Sequence, residues 1–457
     1  MNLKEAAHQK TVKAERAPEA GGEAPQSRRS GEASKAEHGN GSSGTTALME
    51  RVVERSNLEA ALKRVKQNKG GPGIDGMTVE ELPQYLKWNW EELKAKLLEG
   101  KYQPLPVREV EIPKGDGGVR KLGIPTVVDR FLQQSILQVL QPMVDPTFSQ
   151  HSHGFRPGRS AHDAVREAQQ YIQEGKRVVV DVDLEKFFDR VNHDVLMGRL
   201  ARRIGDKRML GLIRGYLNAG IMANGVVMER HEGTPQGGPL SPLLANVLLD
   251  EVDKELEKRG LSFVRYADDL NVYVGSMRAG NDAMELLKRL FGKLRLRINE
   301  SKSAVDQPWN RTFLGYSFFL VDGKTAKRKV APKALEKMKE RVRKITGRNR
   351  RVKLEAVFGE LRRYLPGWKQ YFRLADTPEV FLKLDQWIRR RLRMVQLNQW
   401  KQATTVYREM KRLGASETLA RRAAASCRHW WKTSKSLLNM ALPNAYYARA
   451  GVPKLGA

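Results

Sequence analysis

Apolar and polar positions along this chain alternate with two periods. Near the middle, Phe263-Val264-Arg265-Tyr266 and Leu270-Asn271-Val272-Tyr273-Val274 are rich in β-branched and aromatic residues. They flank two adjacent aspartates, which predicts a β-hairpin with Asp268 and Asp269 at its tip. The valine-rich stretch 176–182 predicts a buried strand that delivers Asp183 to its end. Two further stretches read as extended: a hairpin over 107–124 with its turn at 114–118, and a strand over 312–318. The helical period governs 58–66, 129–140, 243–256 and 282–294, and a helix starting near Ala161. A capping-box pattern, Thr78-Val79-Glu80-Glu81, opens another. From Pro332 the pattern is fully helical, over 333–346, 354–374, 379–395 and a last unit over 399–442.

The hairpin tip poses an electrostatic problem. Two carboxylates at contact distance raise each other's pKa. A solvated turn is the plain alternative, since Asp is common in turns. A divalent cation would offset the repulsion directly. The Gly-rich loop 68–76 either lets backbone N–H groups approach phosphate or simply connects two elements. In the 107–124 hairpin, cationic Lys114 and Arg120 flank the turn, so both could reach one phosphate chain. Pairing with Glu109 or Glu111 is the alternative.

Composition narrows the partners. The chain has 457 residues, enough for two or three domains, and a formal charge of +30. From Lys324 onward there are 34 Lys and Arg against 9 Asp and Glu. A charge of that size and placement favours nucleic acid. Basic and aromatic residues interleave there, as in Trp387-Ile388-Arg389-Arg390-Arg391, although core packing is the commoner role of any single aromatic. Cys427 is the only cysteine, which excludes an internal disulfide and a cysteine-based zinc site and fits a reducing, cytoplasmic setting. No apolar run approaches a membrane span. Residues 1–45 are Gly-, Ser-, Ala-, Glu- and Lys-rich, and their composition predicts disorder.

Asp183, Asp268 and Asp269 together suit a two-metal site for in-line phosphoryl displacement. One Mg²⁺ would activate a primer 3′-hydroxyl, and the other would hold the triphosphate, whose charge Lys114 and Arg120 would neutralise. The order of motifs resembles the reverse transcriptases, most closely the reverse transcriptase/maturase proteins encoded by group II introns. The resemblance rests on Tyr266-Ala267-Asp268-Asp269, the run from Thr234 to Pro242, His153-Gly154-Phe155-Arg156-Pro157, Asp183 to Asp189, and Phe313-Leu314-Gly315-Tyr316.

The resemblance implies an α+β fold: a right-hand polymerase with fingers and palm over 46–325, an all-α thumb (the maturase or X domain) over 326–396, and a small helical DNA-binding region over 397–457. It makes Asp183, Asp268 and Asp269 the catalytic, metal-binding aspartates, with Asp183 favoured over Asp181 by its spacing from Phe187-Phe188. It assigns Lys114, Arg120, Phe188, Gln236, Gly237, Ala267 and Lys302 to the deoxynucleotide pocket, Phe188 lying under the sugar where it excludes a 2′-hydroxyl. Phe313, Leu314, Gly315 and Tyr316 become the primer grip. Arg156, Arg389, Arg390, Arg391 and Arg393 are the expected nucleic-acid contacts.

Further expectations are two Mg²⁺ ions, intron RNA as template and ribonucleoprotein partner, target DNA or primer, dNTPs, no membrane, and a bacterial cytoplasm with nucleoid association during integration. The chain resembles the endonuclease-lacking class, class C. A splicing-only maturase, a retron-like or repair reverse transcriptase, and an RNA-directed RNA polymerase are the competing readings. The intact aspartates, the long basic C-terminal part and Phe188 disfavour them in turn, the repair role least.

Overall fold

The structure, a computed structural model, describes residues 47–113, 118–223, 226–228, 232–234, 237–350 and 352–456. The N-terminal segment, Lys114 and Gln236 lie outside them. The chain forms two compact units, one from residues up to Ala164 with Val178–Val305, the other from Val165–Arg177 with Asp306–Ala457.

The first unit is built on two four-stranded sheets. One contains β1 (Val107–Pro113), β2 (Val119–Ile124), β4 (Ile221–Ala223) and β5 (Val226–Met228) in the order β2-β1-β4-β5. β1 and β2 form the expected hairpin, with Pro113 opposite Val119 and Ile112 opposite Arg120. The other contains β3 (Val178–Val182), β6 (Ser262–Tyr266), β7 (Asp269–Val274) and β8 (Ala304–Asp306) in the order β6-β7-β3-β8. Val178, Val179, Val180 and Val182 of β3 are all buried, which explains why the strand is valine at every position but Asp181. Helix Met277–Lys293 packs on β3 and β7, and helix Ser241–Lys258 packs on β6. Helix Val127–Val144 is capped by Thr126, whose Oγ1 accepts from the Asp129 N–H at 3.1 Å. The helix expected from Thr78 begins four residues later, at Leu82. Thr78 instead donates its N–H to Glu81 Oε2 at 2.7 Å, the returning half of a capping box around a preceding turn.

The second unit carries a hairpin of β9 (Tyr316–Val321) and β10 (Thr325–Val330), then helices Pro332–Ile345, Leu354–Tyr371 and Pro378–Trp400. Gln169 and Gln173 of helix Ala161–Gln173 bind β10 from the side: Gln169 Nε2 donates to Ala326 O (2.7 Å), and Ala326 N–H donates to Gln173 Oε1 (2.8 Å). The strand expected from Thr312 begins only at Tyr316, because Leu314 (φ 51°) and Gly315 (φ 78°) turn the chain through the left-handed region. The last helical unit divides into five short helices between Ala403 and Arg449. Gly414 (φ 82°) separates the first two. Among the described residues no helix is long and apolar enough to cross a membrane.

Candidate active site

The site is assembled at the ends of β3, β6 and β7. These strands pair antiparallel, with Val182 opposite Leu270 and Tyr266 opposite Asp269. Asp269 is therefore the first residue of β7, and Ala267 and Asp268 form the turn. Asp183 follows directly on β3. Alternation on a strand puts Asp181 on the same face as Asp183. Burial, followed by the Asp181, Asp268 and Asp183 carboxylates, pushes the Asp269 carboxyl well above the usual carboxylate range. Four carboxylates thus share one field. Asn271, in the amide orientation that satisfies both its ends, donates to Asp181 Oδ1 (3.1 Å).

An all-oxygen, strongly anionic donor set suits a hard divalent cation. Among the described residues no group of three His, Cys, Asp or Glu side chains forms a ready-made metal cage.

Several backbone contacts fix the turn. Ala267 adopts φ 60°, a conformation that costs a non-glycine residue energy and needs support. Arg265 supplies it. Its guanidinium is 1% exposed and donates to the Ala267 carbonyl (2.9 Å), to Asn246 Oδ1 (2.9 Å) and to Asp253 Oδ1 (2.8 Å). Asn246 Nδ2 in turn donates to the Gly154 carbonyl (2.9 Å). His153 N–H donates to Arg265 O (2.8 Å), and Arg265 N–H donates to His151 O (2.9 Å), so residues 151–154 run beside β6. Gly154 consequently lies on the turn itself. A Cβ there would stand 2.2 Å from the Ala267 nitrogen. This explains the glycine in His153-Gly154-Phe155.

The end of β3 is wrapped from the other side. Asp183 N–H donates to Ser303 Oγ (3.0 Å), and Asn299 N–H donates to Asp183 O (2.8 Å). The turn they belong to carries Lys302, whose Nζ lies 3.5 Å from Asp183 Oδ2. Phe187 points into the core at 3% exposed, whereas Phe188 is half-buried with its ring edge-on to Phe187 (5.0 Å). The turn after β3 also holds the loop that opens at Gly233 and Thr234: Thr234 N–H donates to Phe188 O and Gly233 N–H to Val191 O, both 2.7 Å. At the loop's far end, Gly237 passes so close to β2 that a Cβ would stand 2.6 Å from Gly123 O. Gly237, Phe188 and β2, the strand that carries Arg120, are therefore tied into one region with the aspartates.

Three expectations need correction. Arg156 is 7% exposed: it donates to Asp145 Oδ1 (2.9 Å) and Ser152 O (3.0 Å) and lies 5.5 Å over the Phe148 ring. It staples its own turn, with its guanidinium committed to these contacts.

The arginines of helix Pro378–Trp400 are mostly structural. Arg389 (2% exposed) donates to Pro453 O (2.9 Å), and Arg393 (4% exposed) to Leu442 O (2.9 Å). Arg391 donates to Thr346 Oγ1 (2.6 Å), and Arg390 to Trp431 O (2.9 Å). The spacing held the signal, because Arg389 and Arg393 are four residues apart beside the core positions Ile388 and Leu392.

In the turn 313–316, Phe313 and Tyr316 are fully buried, and Tyr316 packs on Tyr371 and Phe372. Tyr371 Oη donates to Leu314 O (2.9 Å). Only Leu314 and Gly315 keep surface, so any hold on a primer falls to them. Arg265, Asn246 and Asp253 were not read from the sequence. A charged residue inside an apolar strand, and Asn and Asp inside the apolar helix 243–256, were the available signals.

Residues 112–318 match the family described as "Reverse transcriptase (RNA-dependent DNA polymerase)", and residues 335–414 match "Group II intron, maturase-specific domain". Protein YkfC of Escherichia coli (strain K12) is 34% identical, over 56% of this chain and 78% of its own length. The group II intron-encoded protein LtrA of Lactococcus lactis subsp. cremoris is also 34% identical, but the match covers 50% of this chain and only 36% of LtrA. A chain of a solved "Partial Cas6-RT-Cas1--Cas2 complex" is 28% identical with a TM-score of 0.35, covering 54% of this chain and 42% of that one. Divalent metal ions are general to the reverse transcriptase family. The carboxylate field at the β3/β7 strand ends, the two adjoining family regions and the extent of the YkfC match agree: this chain belongs to the group II intron-encoded reverse transcriptase/maturase family.

Proposed function

We propose that this chain copies the RNA of a group II intron into DNA for retrohoming, using two Mg²⁺ ions at Asp183, Asp268 and Asp269, and that it also binds that RNA to assist splicing. The observation that carries the polymerase reading is the four-carboxylate field at Asp269, which a cation must neutralise before a triphosphate can approach. When bound, divalent ions supply Lewis-acid stabilisation of the attacking and leaving oxygens. Asp183, Asp268 and Asp269 hold and orient that centre, and Arg265 and Gly154 keep the Ala267-Asp268 turn in register. Lys302, 3.5 Å from Asp183, donates a proton toward pyrophosphate. Phe188 lies under the incoming sugar, Gly237 and Gln236 border the nucleotide pocket, and Lys114 and Arg120 grip the triphosphate. Leu314 and Gly315 meet the primer. The splicing role rests on the maturase-specific region 335–414.

The test is extension of a DNA primer on an RNA template, with dNTPs or rNTPs supplied. The native chain should extend with dNTPs. Phe188→Val should raise ribonucleotide use relative to deoxynucleotide use by about tenfold or more, since it removes the ring that excludes the 2′-hydroxyl. An unchanged ratio would assign Phe188 to packing alone, and no extension by the native chain would refute the polymerase reading.

A further inference from the structure

Within the second unit, the end of helix Pro332–Ile345, the middle of helix Pro378–Trp400 and residues 428–432 line an open, solvent-facing cavity of about 750 Å³. Small-ligand sites span roughly 300–1,000 Å³, so a nucleotide-sized group fits. Among the described residues its charged lining is cationic, Arg343, Arg348, Arg391, Arg428 and Lys432, with no Asp or Glu. Its aromatic walls are indoles held by guanidinium groups. Arg348 lies 5.1 Å over Trp430, and Arg390, just outside the lining, lies 3.7 Å over Trp431. Arg391 is fixed by Thr346. Beside that contact Trp431 remains 40% exposed, which leaves apolar ring surface open to solvent.

Cations and aromatic faces set together in one cavity select among partners. An acidic peptide would satisfy the cations and leave the indoles idle. A duplex would offer phosphates, but its bases are stacked on one another. An unpaired nucleotide uses both, its base on an indole and its phosphates on the flexible cations.

We propose that this cavity captures an unpaired nucleotide of a single nucleic-acid strand, with the base stacked on Trp431 and the flanking phosphates on Arg428 and Lys432. The proposal rests on the chain's binding nucleic acid, and it adds a site that distinguishes single strands from duplexes. It does not involve the arginines buried in helix Pro378–Trp400, which hold the fold.

The test is fluorescence anisotropy on the full chain with labelled oligo(U), oligo(dT) and an RNA duplex of equal length. Trp431→Leu should weaken single-strand binding by about tenfold or more, the value of one base–aromatic stack, and duplex binding by less than twofold. Trp431→Phe should restore most of the loss. Arg428→Gln and Lys432→Gln should each reduce the salt slope for single strands by about one. A loss in either RNA or DNA single strands supports the site and identifies which strand it takes. Equal losses for single strand and duplex, no loss at all, or no rescue by Phe would overturn it. If the native chain bound none of the three probes, the polymerase reading itself would fall with it. Native binding unaffected by Trp431→Leu would remove only the cavity.

Discussion

At the scale of single residues, the site depends on two atoms that the chain does not display. The first is the missing Cβ of Gly154. Its φ is not positive, so alanine can adopt the same backbone, and the obstacle is the backbone opposite, the Ala267 nitrogen 2.2 Å away and the Tyr266 carbonyl carbon 2.9 Å away. Neither partner is a flexible side chain, so the catalytic turn must move. Gly154→Ala should therefore lower the primer-extension rate by about 10²-fold, the cost of roughly 1 Å of misplacement, while stability falls by about 1–3 kcal/mol. Rate and melting temperature measured on one preparation check this, and a normal rate would free Gly154 of any role in positioning.

The second is the Asp269 proton. In the metal-free chain its carboxyl binds a proton to a higher pH than an unfolded aspartate, whose pKa is about 3.9. Its contribution to stability is thus fully present below that value and is lost as pH rises toward the elevated native pKa. Asp269→Asn should remove this component, so the metal-free variant should gain stability relative to the native chain as pH rises above about 4. Added Mg²⁺ should stabilise the native chain more at pH 8 than at pH 5. Parallel pH–melting curves for the two chains would contradict the assignment.

At the scale of elements, helix Ser241–Lys258 holds the catalytic hairpin by buried polar groups. Asp253 (0% exposed) pairs with Arg265, and Asn246 bridges Arg265 to Gly154. Removing one partner of a buried pair leaves the other charge stranded, at about 3–5 kcal/mol. Asp253→Ala should cost that much in denaturant unfolding and release the Ala267 carbonyl from its donor. A loss under 1 kcal/mol would show that Arg265 finds another partner.

The same elements mark where sequence reading works and where it stops. The hairpin at Asp268-Asp269, the strand before Asp183 and the three long helices after Pro332 were legible, because burial on one or both faces imposes a period on the residues. Strands β4 and β5 were not, since three residues carry no period and β4 pairs with β1 across more than a hundred residues of chain. The Phe313–Tyr316 turn was read as a strand because its aromatic residues have strand propensity, while the left-handed backbone at Leu314 has no sequence signature. The arginines Arg389 and Arg393 were read as phosphate contacts because charge in a sequence does not disclose which carbonyls a long side chain can reach.

At the scale of the whole molecule, charge and chemistry are divided along the chain. The acidic field belongs to the first unit, and most of the +30 excess follows Lys324. Net charge predicts a polyanionic partner but does not name the residues that meet it. Asp268→Asn separates affinity from chemistry, because it removes a metal-binding charge and touches no basic surface. The decisive measurement is single-turnover extension of a DNA primer on an RNA template with Mg²⁺, with template affinity measured on the same protein. The account predicts that Asp268→Asn lowers the extension rate by about 10³-fold or more, the loss of several kcal/mol of transition-state stabilisation, with affinity within about twofold of the native chain. Extension at the native rate would contradict it, because the carboxylates at the ends of β3 and β7 would then not be the catalytic centre.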